Sequence, residues 1–191
     1  MIAKNVRPAI SLLLLMTALC GLAYPLAITG IARLVFPAQA AGSLVYSDGK
    51  PIGSRLIGQH FAAPKYFWPR PSATSPQPYN ATASTGSNLG PLNPALIDRI
   101  KDSAKALESA DPGNRAPIPV DLVTSSASGL DPDISLASAL YQAPRVARVR
   151  GLPVGDVQQL ARAHSRGRAL EFLGEPRVNV LELNLALDGR H

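Results

Sequence analysis

Residues 9–32 have the sequence AISLLLLMTALCGLAYPLAITGIA, which is 24 consecutive residues without a formal charge. As an α-helix this run would be about 36 Å long at about 1.5 Å per residue, which exceeds the roughly 30 Å hydrocarbon core of a bilayer. Arg33 is the first charged residue after it. The sequence therefore predicts one transmembrane helix over residues 9–36.

The basic residues ahead of this helix predict its orientation. Lys4 and Arg7 lie in the short segment before it, and Lys and Arg are enriched on the cytoplasmic side of membrane spans. We therefore expect residues 1–8 in the cytoplasm and residues 37–191 in an extracytoplasmic domain, with the lipid bilayer as the partner of the helix.

Two features suggest alternatives to a helix that is retained as a membrane anchor. Ala38-Gln39-Ala40 has the A-x-A form of a signal-peptidase site, but the apolar region of a signal peptide is typically about 7 to 15 residues long. Cys20 suggests a lipoprotein, but Leu19 stands where a small residue would be expected, so a thiol packed against lipid or a neighbouring helix is favoured. We expect the helix to remain attached.

Beyond the helix about 155 residues remain, which is enough for one domain with a hydrophobic core. The formal net charge is +6, and arginines are densest over residues 145–168. An extracytoplasmic location excludes nucleic acid, and no aromatic residues are interleaved for base stacking. We expect a solvated basic face, with contact to anionic lipid or an acidic partner as the alternative. The arginines are Arg145, Arg148, Arg150, Arg162, Arg166 and Arg168.

Turn and cap signals predict the first elements of this domain. The pair Asp48-Gly49 supplies the positive backbone dihedrals of a tight turn, which predicts a β-hairpin around it. Asn93 followed by Pro94 is typical of a helix start, and the apolar spacing extends that helix to just before Pro112.

The next part of the chain alternates between strand and helix signals. Residues 120–124 predict a short strand. Asp131 followed by Pro132 predicts a helix, which Pro144 should kink or end, and Gly151 should close the short helical piece that follows.

The C-terminal part completes a mixed pattern. A helix begins at Pro153, and Gly167 lies where its C-terminal cap belongs. Leucines at every second position over residues 178–187 predict a half-buried strand. The whole chain is therefore expected to hold a single N-terminal transmembrane helix and one mixed α/β (α+β) domain.

A long segment without apolar periodicity, residues 69–93, is rich in Pro, Ser, Thr, Asn and Gly. Loops of this length in a compact domain are usually functional or disordered. We expect an ordered loop, because its polar side chains can bond to local backbone and Gly86 and Gly90 can adopt unusual dihedrals. The polar residues are Tyr79, Asn80, Ser87, Asn88 and Asn93.

The chain has no recognisable catalytic or metal-binding motif. Its Gly49-Lys50 pair is followed by proline and lacks a phosphate-binding loop, and no serine lies in a G-x-S-x-G motif. We expect Asp48, Asp131 and Asp133 to have structural roles in a turn and a helix start. The histidines lack metal-ligand spacing, so no catalytic, cofactor-binding or metal residue is assigned. They are His60, His164 on an apolar helical face, and the terminal His191.

Several longer runs resemble those of one protein family. They occur in the same order as in that family and extend over essentially the whole chain. They are GSRLIGQHF at 53–61, YFWPRPS at 66–72, SNLGP at 87–91, PVDLVT at 119–124, SASGLDP at 126–132 and GEPRVNV at 174–180. In these runs the chain resembles the C subunits of the bacterial Kdp potassium-transporting ATPases.

The resemblance implies an inner-membrane complex with three partners: a channel-like potassium-translocating subunit, a P-type ATPase subunit and a small stabilising subunit. ATP and potassium would be handled by these partner subunits. In the family, the C subunit is described as a catalytic chaperone that raises the nucleotide affinity of the ATPase subunit, and as needed for assembly. Because only about eight residues are expected in the cytoplasm, too few for a nucleotide site, we expect that effect to be indirect.

The expected function is therefore that of a non-catalytic subunit, which stabilises the complex and caps the outer side of the translocating subunit. The loop at residues 69–93 is the expected contact. Its candidate contact residues are Tyr79, Asn80, Ser87, Asn88 and Gly90. The alternative is a membrane-anchored extracytoplasmic hydrolase, which would need a nucleophile, a base and an oxyanion site that the sequence does not display.

Overall fold

The computed structural model describes residues 2–189, so the prediction for His191 lies outside the described residues. The chain divides into two compact units, Met1–Val45 and Tyr46–His191. The apolar helix belongs to the first unit, and the mixed domain belongs to the second.

A long helical segment dominates the first unit. It consists of α1 (Ile2–Met16), a π-helical stretch (Thr17–Ala23) and α2 (Tyr24–Val35), and the short α3 (Pro37–Ala40) follows. The segment Lys4–Val35 has a mean hydropathy of 2.0 and buries none of its apolar window. By length and composition it is one helix that could cross a membrane, as predicted.

The π-helical stretch has a local cause. Pro25 has no backbone N–H, so the carbonyl of Gly21 lacks the donor that an unbroken α-helix would supply. The N–H of Tyr24 bonds to the carbonyl of Leu19, five residues earlier. Such local adjustments let a helix in lipid accommodate proline without stranding its backbone groups.

The predicted hairpin is confirmed. Strands β1 (Leu44–Ser47) and β2 (Lys50–Ser54) pair in a two-stranded sheet. Asp48 and Gly49 join them with φ of 49° and 73°, the left-handed dihedrals of a tight primed turn.

A second sheet lies at the centre of the domain. It is antiparallel, with β5 (Arg177–Asn179) between β3 (Asp133–Ser135) and β4 (Ser165–Arg166). Ile134 and Val178 face each other across β3 and β5 and are buried. This pair joins the sheet to the core.

Three helices complete the core: α5 (Leu136–Arg150), α6 (Val154–Ala163) and α7 (Val180–Asp188). Gly151 ends α5 with a φ of 67°, as predicted. The domain is therefore of the mixed α/β class that the sequence predicts. The buried apolar cluster comprises Phe67, Ile134, Ala139, Ala143, Val146, Ala147, Val157, Leu160, Ala161, Val178, Val180, Leu183 and Leu187.

The helix predicted from Asp131 begins later than expected. The side chain of Asp131 accepts a hydrogen bond from the backbone N–H of Asp133 at 3.0 Å, so it closes a local turn before β3. Ser135 is the actual N-cap of α5, because its hydroxyl accepts from the N–H of Ser138 at 3.0 Å. Asp133 therefore lies in a strand rather than in a first helical turn.

Pro144 does not end α5, and the separate helical piece predicted after it is part of the same helix. A proline inside a helix removes one backbone hydrogen bond and crowds the preceding turn. Ala143, Val146 and Ala147 around it are fully buried. Packing on both sides of Pro144 thus outweighs its local preference.

The strand predicted over residues 178–187 is wrong beyond Asn179. The side chain of Asn179 accepts a hydrogen bond from the N–H of Glu182 at 3.1 Å and caps α7. Leu183 and Leu187 are both buried and lie four residues apart. Leucines at every second position therefore also satisfy the helical period, and the capping asparagine decides between the two.

Two further predictions are wrong. Val120–Leu122 is a turn of 3₁₀ helix rather than a strand, and Asp121 within it accepts the N–H of Ser135 at 2.7 Å. Helix α6 ends at Ala163, so Gly167 is not its cap.

Helix α4 (Pro94–Ala110) begins as predicted. The side chain of Asn93 accepts a hydrogen bond from the N–H of Ala95 at 2.9 Å. Leu107 is the buried residue of this helix, whereas Ile97 is 44% exposed. The apolar face of α4 is therefore only partly used in packing.

Candidate functional site

The segment that leads into the 69–93 loop is held by two buried side-chain amides. Asn184 on α7 accepts from the N–H of Phe67 at 2.8 Å and donates to its carbonyl at 3.0 Å. Gln142 on α5 does the same for Trp68, at 2.8 and 3.0 Å. Each amide satisfies a buried backbone donor and acceptor together, so the loop begins from a fixed point on the core.

Arg145 is also part of this anchor, and the prediction that it is solvated is wrong. It is 2% exposed, donates to Gln142 at 2.7 Å and to the carbonyl of Pro64, and lies over the ring of Trp68 at 4.4 Å. Burial lowers the pKa of Arg145 to about 10. The side chain is therefore still charged near neutral pH, and its charge is matched by hydrogen bonds and an aromatic face.

Arg150 is also not part of the solvated face that the sequence predicts. It donates to Asp188 at 2.7 Å, and the hydroxyl of Tyr66 donates to the same carboxylate at 3.0 Å. Burial alone would raise the pKa of Asp188, but the hydrogen bonds from Arg150 and Tyr66 lower it. The other members, Arg148, Arg162, Arg166 and Arg168, are exposed in the chain alone, although Arg148 pairs with Asp111 at 2.7 Å and Arg166 with Glu182 at 3.0 Å. Exposure fits both the solvated face and its alternative, so the choice between them stays a prediction.

The first half of the loop is closed by an ion pair and a tyrosine. Arg70 pairs with Asp131 at 2.9 Å, and the hydroxyl of Tyr79 donates to the carbonyl of Arg70 at 2.6 Å. Burial, and secondly the charge of Asp131, raises the pKa of Tyr79. Tyr79 therefore stays neutral and serves as a hydrogen-bond donor within the loop.

Two hydroxyls organise the turn between these residues. Ser72 donates to the carbonyl of Gly129 at 2.7 Å and accepts from the N–H of Tyr79 at 3.0 Å. Thr74 accepts from the N–H of Asn80 at 3.0 Å. The expected order of this loop is thus carried largely by short side chains bonded to backbone.

The second half of the loop rests on residues 126–130. The N–H of Thr85 and the hydroxyl of Ser84 both donate to the carbonyl of Ser128 at 3.0 Å. The N–H of Gly58 donates to the carbonyl of Leu130 at 2.8 Å on the same segment. Residues 126–130 therefore form the platform on which the loop lies.

Position 86 requires glycine because another backbone segment lies close to it, and not because its dihedrals are unusual. A Cβ there would lie 2.8 Å from the carbonyl oxygen of Ala127, and a Cβ on Gly58 would lie 2.6 Å from that of Asp131. The prediction of unusual dihedrals at Gly86 and Gly90 is wrong, because neither is among the positive-φ glycines of the described residues. In the loop, positive φ belongs to Tyr79 at 60° and Asn88 at 49°.

The candidate contact residues differ in accessibility. Asn88 and Gly90 are exposed, whereas Tyr79, Asn80 and Ser87 are half-buried. The side chain of Asn80 bonds to local backbone, as predicted, by accepting from Thr82 at 3.1 Å and donating to Ser75 at 3.0 Å. Within residues 2–189 no side-chain hydrogen bond is recorded for Ser87 or Asn88, so that part of the prediction is not met.

One cavity of about 350 Å³ adjoins the loop and contains the polar groups His60, Arg70, Ser72 and Tyr79. Of these, Ser72, Arg70 and Tyr79 already have backbone or carboxylate partners. Among the described residues, no group of three or more His, Cys, Asp or Glu side chains could hold a metal ion. Three polar side chains of the cavity are therefore committed to holding the loop, although the Nε of Arg70 is buried without a hydrogen-bond partner among the described residues.

The remaining titratable candidates also have structural partners. Asp133 pairs with Arg177 at 3.0 Å, and burial followed by the charge of Asp131 raises its pKa. His164 is half-buried, and its Nδ1 lies 3.0 Å from the carbonyl oxygen of Leu160. Asp48 is in the hairpin turn, as expected.

Sequence reasoning did not identify the residues that hold the loop in place, which are Arg70, Gln142 and Asn184. Gln142 and Asn184 are nearly fully buried, and each lies on the apolar face of a helix. The available signal was a polar residue at a position where the helix is otherwise apolar. For Asn184 this signal could be used only once α7 was known to be a helix.

Comparison with known proteins places the chain in one family. The family model for KdpC, the c chain of the K⁺-transporting ATPase, matches residues 6–189. A potassium-transporting ATPase KdpC subunit from Variovorax paradoxus (strain S110) is 65% identical, over 96% of this chain and 95% of the relative. One from Polaromonas naphthalenivorans (strain CJ2) is 64% identical, over 97% and 95%. The chain therefore belongs to the KdpC family of K⁺-transporting ATPase subunits.

Proposed function

We propose that this protein is a non-catalytic subunit of an ATP-driven potassium uptake complex in the bacterial inner membrane. Residues 9–36 would cross the membrane once, with residues 1–8 in the cytoplasm and residues 37–191 outside it. The observation that carries this proposal is the family match over residues 6–189, which includes the apolar helix as well as the domain. The basic residues ahead of the helix support its orientation.

The partners in this proposal are a potassium-translocating subunit, a P-type ATPase subunit and a small stabilising subunit. A single helix cannot enclose a path for an ion, so transport would belong to the partners. The apolar surface of Lys4–Val35, which is unburied in the chain alone, supplies a face that lipid and a partner helix can share. Assembly through this helix is the role we assign to it.

The domain would cap the outer mouth of the translocating subunit through the 69–93 loop. Within the loop, Asn88 and Gly90 are exposed and would make the contact. Tyr79 and Asn80, whose polar atoms bond to local backbone, would hold its shape, and Ser87 lies between these two groups. An ordered loop suits this role, since little conformational entropy is lost on docking.

Any effect on nucleotide affinity would be indirect. The segment expected in the cytoplasm is about eight residues long, which is too short to form a nucleotide site. We therefore propose that the subunit raises the ATP affinity of the ATPase subunit through the membrane helix and the translocating subunit. ATP and potassium would be handled by the partner subunits.

Purification in mild detergent tests this function. We expect stoichiometric co-purification with the other subunits, and loss of assembly when residues 1–36 are deleted. Single alanine substitutions of His60 or His164 should leave ATP hydrolysis by the complex within a few-fold of normal, whereas loss of a catalytic group costs about 10² or more. A hydrolytic activity of the chain alone, abolished by one such substitution, would instead support the anchored hydrolase.

Retention of the anchor has its own test, because a signal sequence can have a similar apolar helix. The motif Ala38-Gln39-Ala40 would direct cleavage before Ala41. We expect the intact mass of the protein from membranes to include residues 9–32. A mature chain that begins at Ala41 would overturn the anchor.

A further inference from the structure

Helix α4 (Pro94–Ala110) is attached to the domain differently from the core helices. Leu107 is its buried residue, and Ile97 is 44% exposed. Among the described residues no side chain of α4 makes a hydrogen bond or an ion pair, whereas Gln142 on α5 and Asn184 on α7 hold the segment before the loop. Apolar packing near Leu107 therefore holds α4, and elements with few buried contacts open most easily. Its charged side chains, all exposed, are Asp98, Arg99, Lys101, Asp102, Lys105 and Glu108.

Two cavities lie between α4 and the rest of the domain. Ser103 and Leu107 line the cavity of about 350 Å³ together with Tyr79 of the loop. Ser103 and Leu96 line a second cavity of about 240 Å³ together with Ser125. Apolar side chains beside such space make fewer contacts than they would in a close-packed interior. The described position of α4 thus leaves room for the helix to move toward the domain.

The two ends of α4 have different attachments. At the C-terminal end, Asp111 caps the helix and accepts a hydrogen bond from Arg148 on α5 at 2.7 Å. At the N-terminal end, the N–H of the capping Asn93 donates to the carbonyl of Gly90 at 3.0 Å, and both of these residues belong to the 69–93 loop. The helix is therefore tied to the core at its C-terminal end and to the loop at its N-terminal end.

Two buried polar atoms near this helix have no hydrogen-bond partner in the described part of the chain. They are Nε of Arg70 and Oδ2 of Asp111. Arg70 lines the larger cavity beside Leu107, and nearly all buried polar groups in folded proteins are paired. Empty space and unpaired buried atoms both raise the free energy of the described position of α4. A second position of the helix can therefore lie close to it in free energy.

We propose that α4 is a hinged lid, which closes on the two cavities when the 69–93 loop docks on the partner subunit. The helix would turn about its C-terminal end at Leu107 and Asp111, so its N-terminal half would move most. This inference rests on the proposed function, in which Asn88 and Gly90 make the contact. Gly90 lies four residues before Pro94, so a displacement of the docked loop reaches α4 directly.

Disulfide formation across the smaller cavity tests the closure. In a Cys20→Ser background, which removes the single cysteine, the test pair would be Arg99→Cys with Ser125→Cys, because both positions line that cavity. The control pair near the hinge would be Ser109→Cys with Arg115→Cys, which share another cavity. The rate of oxidation by copper phenanthroline would be compared between the full chain in detergent and the assembled complex.

We expect the test pair to form its disulfide at least about fivefold faster in the complex, because docking raises the population of the closed position. The control pair should change by less than about twofold, because the helix turns about this end.

A substitution that occupies the space supports the test. Ser103 lines both cavities, so Ser103→Leu should remove the acceleration of the test pair without lowering the melting temperature of the chain alone. Lys105→Leu, the same residue introduced at an exposed position that lines neither cavity, should leave the acceleration unchanged.

Three results would overturn the inference. If the complex forms and the rate of the test pair is unchanged, α4 does not close and the proposed function stands. If no complex forms, the proposed function fails, and the closure fails with it. If the test and control pairs accelerate equally, the helix shifts as a whole and has no hinge at its C-terminal end.

Discussion

At the scale of single residues, the candidate site depends on backbone segments that approach more closely than a side chain would allow. Gly58 lies under the loop, where an added Cβ would meet the carbonyl oxygen of Asp131 at 2.6 Å and the ring of Tyr79. The carbonyl is backbone and cannot rotate away. The tight contact therefore requires glycine for lack of space, not for its dihedral freedom.

This contact gives a matched pair of substitutions. Gly58→Ala should destabilise the domain by about 1–3 kcal/mol, because overpacking displaces the segment that carries Asp131. Gly90→Ala should change stability by less than about 0.5 kcal/mol, since nothing lies within 4 Å of a Cβ there. Thermal unfolding of the full chain in detergent measures both. Equal melting temperatures for the two variants would contradict the close approach.

Asp188 provides a second prediction at this scale, because its contribution to the stability of the fold depends on pH. Its pKa is lowered in the folded state by Arg150 and Tyr66 against the effect of burial. A carboxylate with a lowered folded pKa stabilises the fold above its unfolded pKa of about 3.9, and this contribution disappears as the pH falls through the folded pKa. Asp188→Asn should therefore lower the melting temperature at pH 7, and the difference from the wild type should shrink as the pH falls below about 4. If the difference in melting temperature between Asp188→Asn and the wild type grew toward acid pH, the lowered pKa of Asp188 would be contradicted.

At the scale of elements, local signals predicted ends and turns better than element types. The Asp48-Gly49 turn, the cap at Asn93 and the stop at Gly151 were predicted, since each depends on one or two adjacent residues. The leucines at residues 178–187 fit both periods, and the cap at Asn179, rather than the leucines, decides for a helix. Pro144 failed as a helix stop because the burial of its neighbours is not a local property.

The loop could be predicted only in outline. Its length, its polar composition and the bonding of Tyr79 and Asn80 to nearby backbone follow from the sequence. Its anchors do not, because the amides of Gln142 and Asn184 come from 74 and 117 residues away in the chain. Their pairing depends on how the helices pack, and no spacing in the sequence encodes it.

Helix α4 gives the prediction at this scale. Leu107 is its buried residue, so its stability should depend more on its cap than is usual for a packed helix. Asn93→Ala should cost about 1 kcal/mol, which is typical for loss of an N-cap, and should speed amide exchange in the first turns of Pro94–Ala110 while the core helices are unaffected. Asn93→Asp keeps the acceptor and should exchange like the wild type. Equal exchange for all three proteins would contradict the assigned cap.

At the scale of the whole molecule, the chain combines an apolar helix that could cross a membrane with a domain in which several charged groups are bound within the fold. Arg145, Arg150 and Asp131 each bond within the domain. Under the function proposed above, the chain would act by holding and covering other proteins. The account therefore depends on where the loop is, namely outside the cytoplasm and against the translocating subunit.

Cysteine labelling in intact cells tests that claim most directly. In a Cys20→Ser background, Gly90→Cys would report on the loop, since Gly90 is exposed and has open space around it. Asn5→Cys, within α1 but before the uncharged run at residues 9–32, would serve as the control. A membrane-impermeant maleimide should label position 90 in intact cells when the chain is expressed alone, and several-fold less in the assembled complex, while position 5 reacts only after lysis. Labelling of position 90 only after lysis would contradict the account.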